Sequence, residues 1–398
     1  MVIPEQGVDP AFTDRSSAAR GVVIAVMAVL PVFLTGALAV QLREDLAFGA
    51  AVLGGIVATY FITSAVGSPL MGQVVETLGA ARAVALAATM SGSAMLAAAM
   101  AQSWVHLALA LTLAGVANSM AQPAANLLLS DSIPVRRLGL AFGIKQSCVP
   151  GAALIGGFAV PTVALVLGWR WAFAIAGILT VCYAGWLWLR HTERRPPRRN
   201  RKATLRDSEA PLTSLLFLTA GGFLGAAAAT SLGAFLVDSA VSIEFAPSTA
   251  GWLYALLAWG TMMSRIVLGW GVDRAPDRSR FGVIAMLLGT GSAGYLLLAG
   301  DNHILFVLGA ILGFVVGWAW TGVFHYAIVT WYRRSPAAAT GFVQTGLSLG
   351  AGLGPLAFGI VVEQHGYAAA WTGAGVVSLL AAVTVLAARS HLRAGRRR

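Results

Sequence analysis

The side chains of this sequence best placed to do chemistry are one lysine, one histidine and a ladder of amides, each inside a long apolar stretch where a polar group is costly. Lys145 is the one charge that falls within such a stretch, about 10 Å from its end at 1.5 Å per residue. An ammonium there either snorkels to lipid phosphate or meets an anion, and a ligand carboxylate is its simplest partner. His325 lies at a similar depth, with Tyr326 beside it and Thr321 one turn earlier. An imidazole exchanges a proton near neutrality, so His325 is a proton-coupling candidate as well as a binding one; the alternative is an interhelical hydrogen bond. Asn118, Gln122 and Asn126 recur every four residues and form one stripe, suited to reading ligand oxygens or to joining helices. Gln146 and Gln344 complete the set of expected substrate contacts.

Other chemistries lack their parts. The 6 histidines are scattered singly, no HExxH occurs, and all 16 carboxylates fall in termini, loops or the ends of apolar stretches. No metal site, cofactor or catalytic residue is expected. Cys148 and Cys182 both fall in apolar segments and suggest no disulfide framework.

The elements that must hold these groups are transmembrane helices. Hydrophobic residues make up 58% of the chain and charged residues 11%, and mean hydropathy is +0.77. A water-soluble domain would carry about a quarter charged residues. Twelve stretches reach the roughly 20 residues needed to cross a hydrocarbon core. They are 21–41, 47–70, 80–101, 104–129, 139–161, 168–190, 212–238, 247–270, 281–300, 303–331, 337–362 and 367–388, here spans one to twelve. In lipid the backbone must satisfy its own hydrogen bonds, so these are helices, with Pro31, Pro123 and Pro150 as expected kinks.

The net charge of +11 comes from cations gathered between spans, and of the 27 Lys and Arg all but Arg43, Arg170 and Lys145 lie in even-numbered connections, termini or adjoining span ends. Arg265 is read among them, near the end of span eight. This bias predicts that both termini are cytoplasmic in a multi-pass protein of the cytoplasmic membrane. No cleaved signal peptide is expected, because Glu5, Asp9 and Asp14 replace a basic leader. The expected organisation is a cytoplasmic segment at 1–20, a six-helix bundle at 21–190, a basic linker at 191–211, a second bundle at 212–388 and a basic tail at 389–398.

The two bundles read as copies. Gly72 and Glu76 recur as Gly269 and Asp273, Gly143 and Gln146 as Gly341 and Gln344, and Gly168 and Gly177 as Gly366 and Gly375, about 197 or 198 positions apart throughout. Lys145 has no such echo, since Val343 stands in its place. Duplicated membrane bundles suggest a transporter.

Gly72, Glu76, Gly79 and Arg82 between spans two and three, with Gly269, Asp273, Arg274 and Arg278 between eight and nine, resemble the loop signature of the major facilitator superfamily, Glu76 standing for Asp, Thr77 for Arg and Pro276 for a glycine. The resemblance covers essentially the whole chain. It implies an all-α fold of twelve helices in two pseudo-symmetric bundles, with spans one, four, seven and ten lining a central cavity. It also implies gating by Glu76, Arg82, Asp273 and Arg274, whose charges can pair and part at helix ends. The family's drug/proton antiporters resemble one another in an Arg within span four and a GPxxGG run in span five; here span four has no Arg and span five reads VPGAALIGG. Its nitrate porters resemble one another in an Arg on span two, absent here, and another on span eight, where Arg265 is read as lying near a cytoplasmic end.

These readings converge on a secondary transporter that moves a small organic anion by alternating access, with uptake by symport favoured and the proton as candidate coupling ion. Its expected partners are the solute, the lipid bilayer and protons, not nucleic acid, and a monomer suffices. An exporter of hydrophobic or drug-like compounds is the alternative; a polytopic enzyme or a sensor is a distant one.

Overall fold

The computed structural model describes residues 15–130, 143–190, 212–272, 274, 280–332 and 336–395. The linker at 191–211, Asp273, residues 1–14 of the N-terminal segment and residues 396–398 of the tail lie outside them.

The described residues are helical over most of each expected span, with turns at some of the ends, and 10 helices among them are long and apolar enough to cross a membrane. Spans one to seven correspond to Ala19–Ala37, Ala50–Leu78, Ala80–Ala99, Trp104–Asn126, Gly143–Leu167, Trp169–Leu189 and Leu212–Ser242; nine and ten to Arg280–Leu298 and His303–Trp331. The Pro247–Val272 helix fills the place of span eight. Spans eleven and twelve form one 60-residue run, Pro336–Gly395, bent at Gly366. A short helix, Ala39–Leu46, extends span one. Consecutive helices joined by short turns run antiparallel, so Arg15 and Gly395 share one end of the bundle, here the near face; the turns at Gly168 and Gly366 share the far face.

The duplication is written into the backbone. Gly168 and Gly366, a repeat pair, both turn the chain at positive φ, 96° and 79°, a conformation that suits glycine because it has no Cβ. Gly177 and Gly375 both press a bare backbone on a leucine: a Cβ would come within 3.1 Å of atoms of Leu96 in one copy and Leu296 in the other.

Prolines within spans strip a donor from the helical ladder and leave the carbonyl four residues earlier without its N–H. At Pro31, Pro355 and Pro150 a side chain from a neighbouring span supplies the missing donor. Pro31 frees the Met27 carbonyl, and Ser91 Oγ donates to it at 2.8 Å. Pro355 frees that of Ala351, which accepts from Thr230 Oγ1 at 3.1 Å. Pro150 frees that of Gln146, and its donor is the guanidinium of Arg265. Two spans also contain a wide π turn, Val160–Ala164 in span five and Ile311–Val316 in span ten, the latter followed by a tight turn at Gly317–Ala319. Span eight serves this irregular stretch. Thr261 Oγ1 donates to the Phe314 carbonyl at 2.8 Å, and one turn on Arg265 Nη2 donates to that of Trp318 at 3.0 Å.

The halves meet tightly at the far face. A Cβ at Gly36 would lie 2.9 Å from Ala234 Cα, one at Gly54 2.9 Å from Leu356 Cα, and one at Gly359 3.1 Å from Ala51 Cα. Phe33 and Trp318 face each other across the halves at 5.9 Å between centroids. Toward the near face the seam of spans two and eleven loosens: Gly341, Gln344 and Thr345 are exposed, and a Cβ at Gly72 or Gly341 would meet nothing within 4 Å.

Candidate functional site

Between the halves, in their near portion, lies a polar cluster centred on His325. Gln146 Nε2 is 2.8 Å from His325 Nδ1, and His325 Nε2 is 3.2 Å from Gln344 Oε1. The two repeat-related glutamines thus meet on one imidazole, one from each half. The Thr321 carbonyl also lies 2.8 Å from Nδ1. A single ring nitrogen cannot accept from Gln146 and donate to Thr321 at once. A neutral ring protonated at Nε2 accepts from Gln146 and donates to Gln344; a ring carrying both protons donates to Thr321 and Gln344 and must release or turn the Gln146 amide. The link between halves therefore depends on where the proton sits.

Around this hub the charge is positive. Lys145, beside Gln146 on span five, is half-buried and has no hydrogen-bond or ion-pair partner among the described residues. Arg265 is 2% exposed. Its guanidinium caps the Gln146 and Trp318 carbonyls and lies 5.6 Å from the Trp318 ring centroid, while Nε has no partner. Among the described residues, neither cation has an acidic partner. Carbonyl dipoles and a ring face offset part of the cost of burying a guanidinium, but they do not cancel its charge.

Arg265 corrects the expectation that it lies near the end of span eight. The helix continues to Val272, about 10 Å further, so a residue counted near the boundary is enclosed. Nor is Lys145 the one charge held within the helices: Arg265, Arg280 and Asp238 are buried too. The freed carbonyl before Pro150 was the signal in the sequence that a strong donor is needed there.

The other expected contacts divide. Asn118 is buried and donates to Ser64 Oγ at 2.8 Å, and Gln122 donates to Asn118 Oδ1 at 3.1 Å. This ties spans two and four within one half. Asn126 is exposed. Tyr326 turns from the cluster toward span nine, where the Arg280 guanidinium lies 4.4 Å from its ring centroid. Of the gating residues, Glu76 is exposed and Arg82 half-buried at the near-face turn on Gly79. Arg274 stacks on Trp270 at 3.8 Å, and Asp273 lies outside the described residues.

At the far face a second charged cluster bridges the halves. The Asp238 carboxylate, 8% exposed on span seven, receives the guanidinium of Arg43 and the hydroxyl of Tyr367. Two residues from Arg43, Asp45 pairs within its own half, with Arg170 at 2.6 Å and the Trp169 indole at 3.1 Å. The hydrogen bond from Arg170 holds the Asp45 carboxyl below the usual range.

A sequence model of the Major Facilitator Superfamily matches residues 21–237 and 218–397. No curated protein matches the sequence. Solved structures share the fold. A bacterial homologue of the human lysosomal transporter Spinster, inward-facing and occupied, aligns with a TM-score of 0.66 at 16% identity over 98% of each chain. Its inward-facing, unoccupied form gives 0.67 at 16% identity over the same shares. The human organic anion transporter MFSD10 (TETRAN) gives 0.69 at 14% identity, covering 95% of this chain and 100% of its own. At such identities the structural likeness carries the fold, while the family match spans both copies of the repeat. On that match this chain belongs to the Major Facilitator Superfamily, and it is a membrane transporter, not an enzyme.

Proposed function

We propose that this transporter moves a small organic anion across the cytoplasmic membrane by alternating access, with both termini, and hence the near face, in the cytoplasm. The observation that carries the reading is the pair Lys145 and Arg265, two cations between the halves without an acidic partner among the described residues. A carboxylate ligand supplies the missing charge, and Gln146 and Gln344 offer it amide donors from both halves. One structural neighbour carries organic anions, but the fold likeness alone assigns no substrate.

Proton coupling, in the direction of symport, is assigned to His325. A second proton on its ring withdraws the acceptor that Gln146 uses, so protonation and the contact between halves are linked. Glu76, Arg82, Asp273 and Arg274 act as the near-face gate. One chain encloses the whole path, so a monomer is sufficient.

The test is thermal stabilisation of the purified protein by organic anions, cations, sugars and lipophilic drugs, repeated with Lys145→Ala. A ligand bound to the folded state raises the melting temperature. Selected anions should stabilise the wild type and lose that effect in the variant, and flux into vesicles should follow for the same compounds. Lipophilic cations stabilising both proteins while anions do nothing would overturn the anion assignment.

A further inference from the structure

The buried carboxylate of the far face has the design of a second proton site. Among the described residues Asp238 is the one acid that is buried. Its partner Arg43 belongs to the other half, whereas Tyr367, its second partner, belongs to its own. The Arg43 helix is fixed to the first half: Asp45, on the same short helix, is held by Arg170 and by the Trp169 indole. Arg43 is therefore presented to Asp238 from a rigid mount. If the halves part at the far face, Arg43 leaves with its half and Asp238 stays on span seven.

A carboxylate that loses its guanidinium beside apolar residues needs water or a proton in its place. The pocket it faces is lined by Val40, Phe48 and Val241, with Ser242 and the charged or titratable groups Arg43, Glu44 and Tyr367. Farther around, Glu363 at the end of span eleven packs against Gly49, Glu244 follows the end of span seven, and the His303 ring bonds the Ile243 carbonyl at 2.7 Å. Arg43 is the one cation of an Arg or Lys lining that pocket.

We infer that Asp238 is a proton-binding residue whose alternative ligand is Arg43, so that protonation from the far side opens that face. One proton converts the carboxylate to the neutral acid, Arg43 remains cationic and is released to water, and no electron moves. The inference rests on the alternating-access reading but not on the anion assignment.

The experiment measures distances between nitroxide labels on Gln102→Cys and Asp301→Cys, exposed far-face positions of the two halves, after Cys182→Ser removes the exposed native thiol. The purified protein is examined without substrate at steps between about pH 7.5 and about pH 5, to vary the supply of protons. The wild type should gain a longer-distance population as pH falls. Asp238→Asn and, independently should that variant not fold, Arg43→Gln should show it at pH 7.5, with the open-to-closed ratio raised about tenfold and no further response to pH. Variants that open beside a wild type indifferent to pH would make the cluster a static brace and overturn the proton site. A pH response that persists in Asp238→Asn would place the proton elsewhere. If neither pH nor either variant ever yields a second distance, the far face does not open and the alternating-access reading falls with it.

Discussion

The two charged clusters between the halves are built on opposite plans. At the far face one acid meets one cation and a hydroxyl, and the charges cancel. In the near portion Lys145 and Arg265 stand around His325 with no acid among the described residues, so positive charge is left over. The first cluster is complete in this conformation and holds the halves together where their backbones already touch. The second is completed by something that arrives. Charge balance thus separates a contact that closes a path from a site that receives a ligand, and depth alone does not, because Asp238 and Arg265 are both buried.

The contrast breaks most severely at Arg265. Arg265→Leu leaves two carbonyls in irregular helix without a donor, at about 1–3 kcal/mol each. Thermal denaturation of this variant should show a clear fall in melting temperature and no response to anions. Lys145→Ala sharpens the contrast, since Lys145 bonds to nothing described: unfolding of the ligand-free protein should move by less than about 0.5 kcal/mol. Anion affinity, by titration calorimetry, should weaken about tenfold or more. A double-mutant cycle of Gln146→Ala and Gln344→Ala should yield a coupling of about 0.5–1.5 kcal/mol through His325 in ligand-free stability, and additivity would mean that the ring does not join them. The smallest effect belongs to Asp45→Asn. That pair is nearly half exposed, so it contributes below about 1 kcal/mol. Because Arg170 lowers the folded-state value of Asp45, the contribution is whole above the unfolded value of about 3.9 and fades as pH falls through the folded one. Melting temperatures of wild type and variant should differ slightly at pH 7 and converge in strong acid.

Much of this was legible because membranes constrain sequences tightly. Long apolar runs, the repeated glycines and the basic connections follow from the cost of exposing backbone or charge to lipid, and they located the spans and the duplication. Gln146, Gln344, Lys145 and His325 stood out because each is polar where little else is. Side-chain direction was not legible. Tyr326 neighbours His325 in sequence, yet one step along a helix is about 100° of rotation, enough to deliver it to Arg280 on span nine. Arg265 and Asp238 were hidden for a related reason: both lie within two turns of a helix end, where hydropathy cannot separate an enclosed residue from a solvated one.

The wide turn at Ile311–Val316 bears on how two copies of one ancestral segment came to do different work. Span four, the counterpart of span ten, is continuous α-helix over Trp104–Ser130. A π turn adds a single residue to such a helix and swings everything beyond it by about 100°. The spacing between repeated motifs lengthens by one residue between the Gly72/Gly269 pair and the Gly143/Gly341 pair, the interval that contains span ten. One inserted residue is enough to re-aim the near-face end of such a helix, His325 included, without substituting any residue along it.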